Sequence, residues 1–259
     1  MNELNVPSWG GVAASLLLVT LAAAVAWRHR LGLTRELTVA AARAGIQLVA
    51  VAAVLGVVFA HAGLPGAFGW VMLMVLIAGQ VAGHRGSGVP RARQTATIGV
   101  AVGTTVTLGT LLAFGVISTQ PSVVIPVGGM IVSGAMQATG LALRRLRQDA
   151  ETARDVIEAR LSLGLASRDA FLPHQRSALR TALLPAIDST KVVGLISLPG
   201  AMTGLILAGV DPLTAIRYQI VVMYMLLAAT ALAALATARL AERALFDGAH
   251  RLVRLTASS

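Results

Sequence analysis

Hydrophobic positions run along this chain in long unbroken stretches, and the polar positions gather between them. Stretches near bilayer length, about 20 residues each, occupy residues 10–27, 37–60, 67–82, 95–117, 123–143, 186–208 and 213–238. They predict an all-α fold: a polytopic membrane bundle of about seven transmembrane helices forming one domain over residues 1–259. The third stretch is short and the sixth is interrupted, so six or eight spans also fit. One long polar interruption covers residues 144–180. At about 40 residues it sits at the size where a core needs outside help, so it reads as a projection of the bundle. Within it, Ile157, Glu158, Arg160 and Leu161 followed by Gly164 predict an amphipathic turn that ends at a glycine.

Composition supports the bilayer assignment. Of 259 residues, 56% are hydrophobic and 12% charged, whereas soluble domains carry about 25% charged residues. The formal net charge of +10 collects at the ends of the apolar stretches and has no aromatic interleaving, which points to topology and away from nucleic acid. Arg28, Arg30 and Arg35 lie in the first loop and Arg85, Arg91 and Arg93 in the third. Residues 144–180 form the fifth, and Arg239, Arg243, Arg251 and Arg254 belong to the tail at 239–259. The alternate loops, 61–66, 118–122 and 209–212, hold no Lys or Arg. Positive charge marks the cytoplasmic side, so the expected topology is N-terminus outside and C-terminus inside. The expected location is the cell membrane of a bacterium, with lipid as the surrounding partner. The first stretch lacks a preceding basic region and reads as a retained anchor.

Few residues carry chemistry. Cysteine is absent, which excludes thiolate catalysis and Cys-based zinc sites. No Gly-x-Ser-x-Gly elbow, His-Glu-x-x-His pair or P-loop occurs, so the chain reads as a transport subunit and not an enzyme, and any ATP is handled elsewhere. A secondary transporter would call for mid-span carboxylates; the acids here lie at span ends or in loops.

Several span residues admit two readings. Arg43 and Gln47, four apart on one helical face, form either an arginine snorkelling to the headgroups with its neighbour or a bundle-facing polar pair. Met130, Ser133, Gly134 and Gln137 share one stripe that is a packing seam or a cavity wall, with Met136 beside it. Ser197, Pro199 and Gly200 break the sixth stretch, as a plain kink or at a substrate site touched by Met202 and Thr203. Asp188 and Lys191 are placed for an ion pair, and Asp211-Pro212 for an N-cap followed by a first-turn proline.

The motifs Arg43-Ala44-Gly45-Ile46-Gln47-Leu48, Glu158 to Gly164 with Leu184-Pro185, Val192 to Gly200, Met202-Thr203-Gly204, Asp211-Pro212 and Ala215 to Ile220 together resemble the Fet-type iron-export permeases of the ABC superfamily. That group includes plant permeases linked to aluminium tolerance. The resemblance implies a permease subunit that forms a homodimer and exports iron or a related metal. It also implies a separate cytosolic ABC ATPase that holds ATP and Mg, with no cofactor on this chain. Export of another solute, such as a sugar nucleotide, is the alternative. Ile157, Glu158, Arg160, Leu161 and Gly164 are the expected ATPase-coupling residues, within a cytoplasmic loop at 144–185. A helix lying on the membrane surface is the other reading of that segment. Where the family's fifth span is expected to read Gly-Asn, this chain has Ser133-Gly134, with its amide at Gln137.

Overall fold

A computed structural model describes residues 8–61 and 63–255. Among them the chain forms helices α1 (Trp9–Arg28), α2 (Thr34–His61), α3 (Gly63–Arg85), α4 (Ala92–Ala113), α5 (Pro121–Thr152), α6 (Arg154–Ser162), α7 (Ser167–Val192), α8 (Gly200–Leu207) and α9 (Pro212–Leu245). Six of them, α1 to α5 and α9, are long and apolar enough to cross a membrane. The protein is an all-helical, multi-pass membrane protein.

The sixth apolar stretch is interrupted, as the sequence predicts, and does not form one continuous helix. Helix α7 takes its first residues and stops at Val192, residues 193–199 leave helical geometry, and α8 takes the rest. Gly194 adopts φ +79, where a side chain would be strained. Pro199 has no N–H to donate into a continuing helix, so it caps α8 at ψ 147 instead of kinking one long rod. Eight residues rise only about 12 Å, far short of the roughly 30 Å hydrocarbon layer.

The chain divides into two compact units, residues 1–63 and 64–259. In the first, α1 and α2 pack as a hairpin. Ser8 Oγ accepts from the Gly11 N–H at 3.2 Å to cap α1, and the turn uses left-handed Arg30 and Gly32.

In the second unit, α5 and α9 are the most extensively packed pair, followed by α4 with α9. Small residues let the backbones meet. A Cβ on Gly103 would lie 2.7 Å from the Ala229 carbonyl oxygen, and one on Gly79 would lie 2.6 Å from the Thr97 Cα. Such close approach replaces the hydrophobic driving force that lipid cannot provide.

At 32 and 34 residues, α5 and α9 rise about 48 and 51 Å and so outrun the hydrocarbon layer. The polar interruption is therefore no loose loop. It consists of the last turns of α5, all of α6 and the first half of α7, closed over an apolar cluster that includes Leu143, Leu146, Ile157, Phe171, Leu245 and Leu252. Residues 246–255 beyond α9 join the same cluster through Leu252.

Candidate functional site

Helices α5, α7 and α9 enclose a cleft of about 710 Å³. From α5 it takes Pro126, Gly129, Met130, Ser133, Gly134, Gln137, Ala138 and Leu141, so the stripe at 130, 133, 134 and 137 faces this space. From α7 come Ala182, Pro185, Ala186, Ser189 and Thr190, and from α9 Met223, Leu226, Leu227 and Thr230. The polar groups on its wall are four hydroxyl side chains from Ser133, Ser189, Thr190 and Thr230 and the amide of Gln137; two methionine thioethers add soft donors. The Gln137 amide points along the wall toward the Ser133 hydroxyl, with 3.5 Å between Nε2 and Oγ. Gly134 serves both readings of its stripe, since a Cβ there would lie 3.3 Å from Thr230 Cγ2.

Proline shapes two of the walls. Pro126 and Pro185 sit inside α5 and α7 and remove the N–H groups that would bond one turn back. Both line the cleft.

Other candidates lie elsewhere. Met136 points to the apolar cluster at the charged end of the bundle and packs against it. Arg43 and Gln47 are exposed on α2, in the first unit. Ser197 pairs with Val193, its carbonyl accepting from the Gly194 N–H at 3.0 Å. Thr203 donates its hydroxyl to the Pro199 carbonyl at 3.1 Å. Ser197, Pro199, Gly200, Met202 and Thr203 are not among the residues that line the cleft. The cleft residues of α7 and α9 were legible in principle, because 182, 185/186, 189/190 and 223, 226/227, 230 repeat at helical spacing.

Helix α6 begins where α5 ends. Ile157, expected on a docking face, is fully buried in the apolar cluster, and Leu161 packs against that cluster from its edge. The apolar side chains α6 and its exit leave open are Val156, Leu163 and Leu165. Glu158 pairs with Arg154 at 2.7 Å, while Arg160 donates to the Ala170 carbonyl at 3.1 Å and so ties α6 to α7. Gly164 turns the chain at φ +87 with no atom near where a Cβ would be, so only its conformation requires glycine.

Close by, Asp149 is buried and pairs with Arg145 at 3.1 Å, with His174 Nδ1 at 3.8 Å. Asp188 and Lys191 form the expected pair at 3.3 Å, exposed on both sides, where it adds little stability. Asp211 caps α9 by accepting from the Thr214 N–H at 3.1 Å, with Pro212 in the first turn. No group of three or more His, Asp or Glu that could hold a metal occurs among the described residues.

The model of the family described as "Uncharacterised protein family (UPF0014)" matches residues 9–246. The chain is 41% identical over 243 residues to UPF0014 membrane protein STAR2 of Oryza sativa subsp. japonica, covering 92% of this chain and 84% of that protein. It is 37% identical over 244 residues to Protein ALUMINUM SENSITIVE 3 of Arabidopsis thaliana, covering 93% and 88%. To the Probable iron export permease protein FetB of Escherichia coli (strain K12) it is 36% identical over 253 residues, covering 98% and 97%. No solved structure matches.

Proposed function

The chain belongs to the UPF0014 family of membrane permeases, and from that premise we propose that it is the permease subunit of an ABC-type exporter. In this reading it moves iron or a related metal out of the cytoplasm, driven by a separate ATPase that holds ATP and Mg. The near full-length similarity to a relative named as an iron export permease supports the substrate. The absence of a P-loop supports a nucleotide site on another polypeptide. The arginines that cluster in the last turns of α3, α5 and α9 and in the segments that follow support placing that end in the cytoplasm. Two copies of the permease would work with two ATPases.

The observation that carries the reading is α6 itself. A nine-residue helix is far too short to span a membrane. It is anchored by a buried Ile157, turned by a left-handed Gly164, and leaves Val156, Leu163 and Leu165 exposed at the charged end. Apolar side chains held open beside charge are what a docking partner covers. The test is co-purification of the tagged chain with the ATPase. Gly164→Pro should abolish capture and permease-stimulated ATP hydrolysis at unchanged membrane level; undiminished stimulation would refute the docking role.

The cleft favours a second reading. Its wall offers hydroxyls, one amide and thioethers and no ionisable side chain, an array suited to hydrogen bonding a hydroxyl-rich solute such as a sugar nucleotide. ATP-driven flux of such a solute, with no metal flux, would select it.

A further inference from the structure

The segment after α9 closes on itself and then bonds the start of α6 and the start of α7. The Val253 N–H donates to the Leu245 carbonyl at 2.9 Å, and Phe246 bridges to Leu252. The Asp247 carboxylate accepts from the Ala249 N–H at 2.9 Å and the Arg251 N–H at 2.8 Å. At the start of α6, the Arg154 guanidinium donates to the Leu252 carbonyl at 2.9 Å and to the Val253 carbonyl at 3.4 Å. At the first residue of α7, the Ser167 hydroxyl lies 3.1 Å from His250 Nδ1. The Leu252 side chain, 5% exposed, shares the apolar cluster with Ile157.

An isolated helix of nine residues does not persist in water, so its tertiary contacts decide where α6 sits. The tail bonds α6 at its start, shares the apolar cluster with Ile157 at its middle, and is covalently continuous with α9, which contributes Met223, Leu226, Leu227 and Thr230 to the cleft wall. The arginine fork presents its donors in a fixed plane and here meets two successive carbonyls.

We propose that residues 246–255 are a strut that carries displacement of α6 to α9, so that a partner docked on α6 acts on the cleft through the tail as well as through α5 and α7. This rests on the docking role given to α6 above. Leu252 and Arg154 are positioning residues in this scheme. A segment that merely sealed the cluster would lower the amount of folded protein when weakened. A strut lowers the flux obtained per ATP hydrolysed.

The test uses the full chain reconstituted in vesicles with its ATPase, scored for ATPase affinity, ATP hydrolysis and flux per ATP. Arg154→Gln and Leu252→Asn should hold the ATPase within about threefold of wild-type affinity while flux per ATP falls about tenfold. Leu252→Met should restore it. Because the chain has no cysteine, Ser167→Cys with His250→Cys can be joined by a short crosslinker in the Leu252→Asn background, and joining should recover flux. Unchanged flux per ATP in the single variants, affinity falling in parallel with flux, or no recovery on crosslinking overturns the strut. If Gly164→Pro leaves the ATPase bound and stimulated, the docking role falls and takes the strut with it. If Gly164→Pro is uncoupled while Arg154→Gln and Leu252→Asn are not, the strut alone falls.

Discussion

The hydroxyl of Thr139 on α5 lies 3.2 Å from the hydroxyl of Thr237 on α9, with both residues fully buried. Gly99 of α4 abuts the same Thr237 hydroxyl, so three helices converge on one polar contact. Thr237→Val keeps the shape and strands one hydroxyl, and should cost about 0.5–2 kcal/mol. Thr139→Val with Thr237→Val should recover most of it. Thermal unfolding in detergent measures both; an unstable double variant would contradict a simple pairing.

Close packing of α4 on α9 gives a second prediction. Gly103→Ala would place a Cβ 2.7 Å from the Ala229 carbonyl oxygen and 2.8 Å from the Ala233 Cβ, and should destabilise by about 1–3 kcal/mol. Gly109→Ala, with no atom within 4 Å, is the control and should leave the melting temperature unchanged.

Much of this arrangement was legible in the sequence. Hydropathy locates the six long helices because lipid exposure demands unbroken apolar runs, and helical spacing puts 130, 133, 134 and 137 on one stripe, which faces the cleft. The sixth stretch is broken where Pro199-Gly200 predicts a break, but the turn at Gly194, to which hydropathy is blind, ends α7 several residues earlier. Ile157 was misplaced for a related reason. An amphipathic pattern gives the apolar face of a helix, yet the fold decides whether that face meets a partner or its own core, and here Ile157 shares a buried cluster with Phe171 and Leu252. The α7 wall of the cleft carries only the helical spacing of 182, 185/186 and 189/190 as a signal, and it runs across the boundary between the polar interruption and the sixth apolar stretch.

The cleft predicts a separation of phenotypes. Ser133→Leu and Ser189→Leu add bulk on facing walls where both residues are exposed, and should cut flux about tenfold or more without loss of folded protein. Met136→Leu, on the far side of α5 against the apolar cluster, should leave flux intact. Vesicle efflux at matched protein levels distinguishes them.

The tail carries its own pH signature. The Arg251 backbone N–H, with help from the Ala249 N–H and the Arg251 guanidinium, holds the Asp247 carboxyl below its ordinary value of 3.8 against a smaller opposing effect of desolvation. A depressed carboxyl contributes its stabilisation above the ordinary value and loses it as pH falls through the folded one. The tail should therefore stay closed at neutral pH and loosen only below 3.8. Amide chemical shifts of Ala249 and Arg251 should titrate together below that point; a midpoint at or above it would contradict the contact.

The broken stretch offers a further separation. Pro199→Ala restores an N–H and lets residues 193–199 approach helical geometry, which should impair flux more than insertion or ATPase capture. Equal flux at equal membrane level would reduce the break to packing.

Transport in sealed vesicles tests the proposed ATP-driven export. The chain and its ATPase are reconstituted with the charged end and ATP on the same side, and ferrous iron, zinc and manganese are followed in parallel. The account predicts iron flux away from the ATP side that stops with a hydrolysis-dead ATPase and with Gly164→Pro. No metal flux alongside vigorous ATP hydrolysis would contradict iron export.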